Sequence, residues 1–200
     1  MIQSTQNISA IILAGGQGSR LNGADKGFVL LAQQPLIQHV IQRIEPQVSE
    51  VLISANRNIE RYKELNFDVL EDATKDFSGP LAGILQALLV CKNEWLLVVP
   101  ADSPFIARDM ATRLMENNQQ VKIVIPDSGE HLQPTFSLIH KSLAPSLEHF
   151  LQQGERKARV WMQQQAHKIV GFSDSTDAFI NINTEEDLKN AEQHLQKTMR

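Results

Sequence analysis

The chain has only one cysteine, Cys91, among its 200 residues, so an internal disulfide is excluded. It lacks a basic, apolar leader at its start and any apolar run near the about 20 residues that span a bilayer. Its formal net charge of −4 is small and acidic, which does not indicate a nucleic-acid-binding surface. We therefore expect a cytoplasmic globular protein with no nucleic-acid and no membrane partner.

Side chains in recognisable nucleophilic or metal-binding patterns are also missing. The six histidines are scattered, without metal-ligand spacing. Cys91 lies in an apolar stretch with no activating partner in view, as expected of a buried structural thiol. The sequence therefore does not indicate covalent catalysis or a histidine-rich metal centre.

Short apolar segments alternate with amphipathic ones up to residue 125, which is typical of βαβ units. The pattern predicts strands at residues 9–13, 50–53, 67–70, 95–99 and 121–125. It predicts helices beginning at Pro35 and Pro80, and a third over residues 107–117. The fold class that follows is α/β, with helices covering both faces of a mostly parallel sheet.

The pattern changes after residue 130. Strands are predicted at residues 133–139, 167–172 and 179–182, and helices at residues 142–152 and 156–165. Thr184 and Asp187 open the last helix in the manner of a capping box, with Asp in place of the usual Glu or Gln. Because no repeat or linker interrupts the chain, we expect one domain over residues 1–200.

A glycine-rich loop follows the first predicted strand; residues 13–27 read LAGGQGSRLNGADKG. Glycines there allow the backbone to approach a ligand, and exposed N–H groups bind anions. Arg20 and Lys26 add two cations, which suits a polyphosphate. Leu21 breaks the dinucleotide fingerprint, and Ala24 stands where a Walker A loop requires lysine. The loop therefore predicts a polyphosphate site of another kind.

Asp102 follows the predicted strand at residues 95–99 and is expected at the same sheet edge as the glycine-rich loop. A carboxylate in that place suits Mg²⁺. Asp72 follows another strand, and Gly79 precedes a helix whose amino terminus favours anions. Two simpler roles stay open at this point, a helix cap for Asp102 and a turn for Asp72.

These residues suit a reaction that needs no general base. A phosphate monoester acceptor is already anionic at neutral pH, so catalysis rests on alignment and on neutralising charge at the α-phosphate and the departing pyrophosphate. Mg²⁺ on Asp102, with Arg20, Lys26 and backbone amides around the phosphates, supplies what is needed. The sequence thus predicts Mg²⁺-dependent nucleotidyl transfer with Arg20, Lys26 and Asp102 as catalytic residues.

The loop at residues 13–27 resembles the signature loop of the molybdenum cofactor guanylyltransferases. Similar family segments are GPLAGI at 79–84, PADSPF at 100–105, QPTF at 133–136 and FININT at 179–184. The glycine loop alone is shared with many NTP transferases, whereas Asp-Lys-Gly together with Asn-Ile-Asn-Thr is more specific. The resemblance implies a three-layer, Rossmann-like nucleotidyltransferase fold, with an NTP-binding half at about 8–127 and an acceptor-binding part at about 128–196.

The resemblance also implies a reaction, in which GMP passes from Mg-GTP to the terminal phosphate of Mo-molybdopterin and pyrophosphate is released. The residues it assigns to GTP are Leu13, Ala14, Gly15, Gly16, Lys26, Ser54, Asp72, Gly79 and Asp102. It assigns Mg²⁺ to Asp102 and molybdopterin to Asn181, Asn183 and Arg156. Other molybdenum cofactor biosynthesis proteins and apo-molybdoenzymes are the protein partners it implies.

Three positions depart from the family pattern. Asn22 stands where the loop usually has glycine, Ala101 replaces a frequent cysteine, and Ser54 replaces an asparagine that would contact the nucleoside. Two alternatives remain at this point. One is another NTP transferase of the same fold, acting with CTP on molybdopterin or on a sugar phosphate. The other is a non-catalytic cofactor carrier, which the presence of both Lys26 and Asp102 disfavours.

Overall fold

A seven-stranded sheet with helices on both faces forms the centre of the structure, a computed structural model that describes residues 7–15, 25–71 and 79–198. The strands are, in chain order, β1 (Ile8–Leu13), β2 (Leu30–Leu31), β3 (Gln34–Pro35), β4 (Glu50–Ser54), β5 (Asp68–Leu70), β6 (Trp95–Pro100), β7 (Ile123–Asp127), β8 (Leu138–His140) and β9 (His167–Gly171). The helices are α1 (Leu36–Ile44), α2 (Ile59–Lys63), α3 (Pro80–Val90), α4 (Met110–Met115), α5 (Ala144–Gln152), α6 (Ala158–Gln163) and α7 (Glu185–Thr198).

The strand order in the large sheet is β5-β4-β1-β6-β8-β7-β9, and β2 pairs with β3 in a separate hairpin. β8 is antiparallel to both of its neighbours, β6 and β7, while every other pair in the large sheet is parallel. The carboxyl ends of all these strands except β8 therefore lie at one edge of the sheet. Ligands of open α/β sheets bind at that edge.

Apolar side chains fill a layer on each side of the sheet. Helices α1 and α4, with Tyr62 from α2, pack on one face, and α3, α5 and α6 pack on the other. The α1 residues that face the core recur at helical spacing: Leu36, Ile37, Val40, Ile41 and Ile44. The predicted α/β architecture in three layers is confirmed.

A third, smaller apolar cluster lies between β2, α1 and α7. It consists of Leu31, Leu36, Phe105, Ile182 and Ala191. The cluster fixes the amino-terminal end of α7 beside the chain that follows β6. None of the helices in the described ranges combines the length and the apolar character needed to cross a membrane.

Three predicted elements differ clearly from those in the structure. The strand expected at residues 133–139 is shorter, since a 3-10 helix occupies Pro134–Phe136 and β8 begins only at Leu138; proline fixes φ and has no N–H for a sheet ladder. Residues 179–182 form no strand, because the Ile182 N–H donates to the Asp102 carbonyl instead of a sheet neighbour. The helix expected over residues 107–117 is limited to α4.

Candidate active site

Lys26 and Asp102 meet at the carboxyl edge of the sheet. β1 and β6 are paired so that Leu13 lies opposite Pro100, and the Ala101 N–H donates to the Leu13 carbonyl at 3.0 Å. Lys26 Nζ lies 3.2 Å from Asp102 Oδ2, and the two side chains are 22% and 18% exposed. The predicted approach of the loop lysine to the carboxylate is therefore present, in a position open to a ligand.

Asp25 sets the position of Lys26. Its buried carboxylate accepts a hydrogen bond from the Gly27 N–H, and a 3-10 helix, Lys26–Phe28, begins directly after it. Asn58, at the N-cap position of α2, donates to the same carboxylate at 2.9 Å. A residue far along the chain thus anchors the short turn that presents the lysine.

Tyr62 of α2 completes this anchor. Its hydroxyl donates to Asp25 Oδ1 at 2.6 Å. Burial, together with this hydrogen bond, raises the pKa of Tyr62 well above its usual range, so the hydroxyl stays a donor. A Cβ on Gly27 would lie 2.6 Å from the Tyr62 oxygen. A side chain at position 27 would therefore displace the Tyr62 hydroxyl from its place on Asp25.

The segment before α7 is joined to Asp102 and Lys26. The Asn183 side-chain oxygen accepts a hydrogen bond from the Lys26 amine, and the Ile182 N–H donates to the Asp102 carbonyl at 2.9 Å. The hydroxyl of Ser103, which is fully buried, donates to the Asn181 side-chain oxygen. The two asparagines predicted for the acceptor therefore lie beside the residues predicted for the nucleotide.

The helix-cap alternative for Asp102 is excluded by the structure. α4 begins at Met110, and the residue at its N-cap position is Asp109. Asp102 instead lies in the turn after β6, with its carboxylate on Lys26. Its side chain is free of any structural duty at a helix end.

The start of the glycine-rich loop lies between β4 and β6. The Ala14 N–H donates to the Ser54 carbonyl at 2.8 Å, which continues the ladder between β1 and β4. Gly15 is exposed, and a Cβ there would lie 3.5 Å from the side-chain nitrogen of Asn56. Asn56, which sequence reasoning missed, is therefore next to the loop; its only sequence signal is its place just beyond β4.

Ser54 faces the helix above it. It is 4% exposed, and a Cβ on Gly83 of α3 would lie only 2.3 Å from the Ser54 hydroxyl oxygen. The hydroxyl thus packs against the α3 backbone, and a nucleoside contact from Ser54 remains a prediction. Gly79, at the start of α3, has φ of +105°, which favours glycine, and Pro80 follows it at the first helical position.

Three predicted residues, Gly16, Arg20 and Asp72, lie outside the described residues. Arg156 lies between α5 and α6, where its Nη1 donates to the carbonyls of Leu151 at 2.8 Å and Glu155 at 2.7 Å. These bonds hold the guanidinium near the end of α5. Its role toward the acceptor stays a prediction.

A metal here would have few protein ligands. Across residues 7–15, 25–71 and 79–198, no three His, Cys, Asp or Glu side chains are grouped closely enough to hold an ion. Asp102 is the described carboxylate beside Lys26 at this edge. Such a site fits a hard cation that takes its other ligands from phosphate oxygens and water.

Comparisons with known proteins identify the family of this chain. A family model described as a MobA-like NTP transferase domain matches residues 10–169. A molybdenum cofactor guanylyltransferase from Vibrio parahaemolyticus is 43% identical over 94% of this chain and 96% of its own length. One from Shewanella putrefaciens is 44% identical over 90% of this chain and 94% of its own.

A solved structure is also similar. Molybdopterin-guanine dinucleotide biosynthesis protein A from Archaeoglobus fulgidus matches with a TM-score of 0.80 and 25% identity, over 94% of this chain and 99% of its own. These matches confirm the resemblance seen in the sequence and the fold class. The chain belongs to the MobA-like NTP transferase family, among the molybdenum cofactor guanylyltransferases, and is therefore a nucleotidyltransferase.

Proposed function

We propose that this site transfers GMP from Mg-GTP to the terminal phosphate of Mo-molybdopterin, forming the molybdopterin guanine dinucleotide cofactor and pyrophosphate. The observation that carries the proposal is the contact of one amine, that of Lys26, with both Asp102 and Asn183. A residue predicted to bind the nucleotide donor and a residue predicted to bind the molybdopterin acceptor then contact the same amine. The names of the relatives supply the guanylyl group and the molybdenum cofactor, from which we infer the two substrates.

The chemical step is an in-line displacement at phosphorus. An oxygen of the acceptor phosphate forms a bond to the α-phosphorus of GTP, and the bond from that phosphorus to the bridging oxygen of the β-phosphate breaks. The electron pair leaves with pyrophosphate. Because the acceptor oxygen is already anionic, no side chain has to remove a proton. Lys26 offsets the charge that develops around the α-phosphate.

Asp102 is the residue we assign to Mg²⁺. Bound there, the ion would neutralise phosphate charge and orient the triphosphate. In the structure, Lys26 Nζ lies beside the Asp102 carboxylate to which we assign the ion. We expect the amine to turn toward the phosphates when the metal binds, since a flexible four-carbon stem allows it.

The wider arrangement follows from the same assignments. Residues at about 8–127 would take the nucleotide and those at about 128–196 the pterin, both within one domain. We place the reaction in the cytoplasm, where GTP is available. Other molybdenum cofactor biosynthesis proteins and apo-molybdoenzymes would receive the product.

The test is a screen of single NTPs with molybdopterin as acceptor, following pyrophosphate release with and without Mg²⁺. We expect release with GTP that requires both the metal and the acceptor. Activity with CTP but not GTP would contradict the assignment of guanine. Activity on a sugar phosphate but not on molybdopterin would contradict the assignment of the acceptor.

A further inference from the structure

The first turn of α7 forms the capping box that the sequence predicted. The Thr184 N–H donates to Asp187 Oδ2 at 2.9 Å, and the Asp187 N–H donates to the Thr184 hydroxyl oxygen at 3.1 Å. The same Asp187 oxygen also accepts from the Asn183 N–H at 3.0 Å. This third bond extends the cap to a residue that an ordinary capping box leaves alone.

Asn183 is therefore held from both sides along the chain. The preceding residue, Ile182, is fully buried in the small cluster under α7, and its N–H donates to the Asp102 carbonyl. The peptide of Asn183 itself is bound by Asp187. With its backbone fixed at these points, the side chain extends to the Lys26 amine.

The state of Asp187 agrees with this role. Burial alone would raise the pKa of Asp187, but hydrogen bonds from the Asn183 N–H, the Thr184 hydroxyl and the Thr184 N–H, together with the charge of Lys26, lower it below its ordinary value. Asp187 is therefore a carboxylate at neutral pH. Its negative charge is close enough to Lys26 to be felt there.

We propose that Asp187 is a positioning residue, which caps α7 and thereby sets Asn183 against the Lys26 amine, so that the acceptor segment is aligned with the nucleotide site. The assignment of Asn183 to the acceptor side rests on the proposed function. The contact between Asn183 and Lys26 does not depend on that proposed function, since it is present in the structure. Loss of Asp187 leaves two N–H groups at the helix start without their acceptor, and the peptide of Asn183 is then free to turn.

A helix cap can also be purely structural, and the two roles differ in what they change. A structural cap lowers stability, and its effect on activity adds to that of any distant change. A positioning residue acts through Asn183, so its effect on activity disappears once the Asn183 side chain is gone. The double-mutant cycle of Asp187→Ala with Asn183→Ala separates the two.

The kinetic test uses the full chain with GTP and molybdopterin. We expect Asp187→Ala to lower kcat/KM for molybdopterin about tenfold, equivalent to about 1.4 kcal/mol, with KM for GTP changed less than about twofold. In the Asn183→Ala background the same change should cost less than about twofold. Additive losses, or equal losses for both substrates, would overturn the proposal.

Matched variants complete the set. Asp187→Glu supplies the usual capping-box residue and should restore most of the activity. Asp109→Ala is the control, because Asp109 stands at the N-cap of α4 without a side-chain capping bond; it should change nothing. Asp187→Asn, which keeps one acceptor oxygen, takes the place of Asp187→Ala if that variant does not fold, and should show a smaller loss of the same pattern.

A second measurement does not depend on turnover. The side-chain amide resonances of Asn183, followed by NMR in the ligand-free protein, should move in Asp187→Ala and return in Asp187→Glu. Unmoved resonances would refute the positioning role even if turnover fell. If the wild-type protein fails to turn over GTP and molybdopterin, the proposed function falls, and these resonances still decide the role of Asp187.

Discussion

The two ends of β1 carry the same kind of ion pair in different surroundings. At the amino end, Lys92 Nζ lies 3.2 Å from Glu50 Oε1, and at the carboxyl end Lys26 Nζ lies 3.2 Å from Asp102 Oδ2. The Glu50 side chain is 7% exposed, and that of Asp102 is 18% exposed. Equal distances therefore do not mean equal roles.

The partners around each carboxylate explain the difference. Glu50 also accepts hydrogen bonds from the Ser9 hydroxyl and the Lys92 N–H, and Asn93 donates to the Ser9 oxygen at 3.0 Å. This cluster satisfies its polar groups within the protein, as buried groups require. The Lys26 pair, in contrast, lies at the sheet edge where parallel strands present ligands. We therefore expect the Glu50 pair to stabilise the fold and the Lys26 pair to be available to a substrate.

The sharpest way to break this comparison is to remove each carboxylate in turn. Asp102→Ala should lower turnover about 10²–10³-fold or more, since charge at the reacting phosphates loses its compensation, while the free energy of unfolding hardly changes. Glu50→Ala should leave turnover intact and lower the free energy of unfolding by about 1–3 kcal/mol, because its donors lose their acceptor. Pyrophosphate release and urea unfolding measure the two effects. Full activity in Asp102→Ala would refute the metal assignment.

The two lysines sharpen the comparison further. Lys26→Ala should lower turnover about 10²-fold, because a neutral side chain cannot offset phosphate charge. Lys92→Ala is the matched control, with the same pairing distance on a carboxylate, and should keep full turnover. Because the Lys92 side chain is 76% exposed, Lys92→Ala should lower the free energy of unfolding by less than about 1 kcal/mol. Equal losses of turnover in the two variants would contradict the distinction between the pairs.

The smallest expected effect is the pH dependence of stability at the amino end. Burial alone would raise the pKa of Glu50, but hydrogen bonds from Ser9 and Lys92 and the charge of Lys92 hold it below the ordinary value of 4.5. The unfolded chain then binds the proton more readily, so this contribution is present above pH 4.5 and is lost as pH falls through the folded-state pKa.

Urea unfolding of the wild-type protein and Glu50→Gln, from about pH 7 to about pH 3, measures that contribution. The difference in stability between the two proteins should shrink as the pH falls. A constant difference over this range would show that the charge on Glu50 does not stabilise the folded state.

Several elements could be predicted from the sequence because their signals are local. β1, β4 and β6 consist mainly of apolar residues, and α1 repeats its apolar residues at helical spacing. The capping box of α7 was visible in Thr184 and Asp187. The placement of Lys26 near Asp102 followed from the rule that parallel strands end at one edge.

Other features could not be predicted because they join distant parts of the chain. Ser103 is an ordinary residue between Asp102 and a proline until the fold places Asn181 beside it. Asp25 and Gly27 belong to a family motif, but the hydroxyl of Tyr62, which bonds to Asp25 and lies close to Gly27, comes from α2 and is indicated by no local pattern. The insertion of β8 between β6 and β7 is likewise a matter of topology.

By itself, the sequence determined the alternating elements, the glycine-rich loop and the residues from which we predict the phosphate contacts, because hydrophobic periodicity and turn chemistry act over a few residues. Only the tertiary structure decided that the Glu50 carboxylate is less exposed than that of Asp102. It also decided that Asn183 is the asparagine that contacts Lys26. Those outcomes depend on burial and on contacts between residues far apart in the chain, and a linear pattern does not contain either quantity.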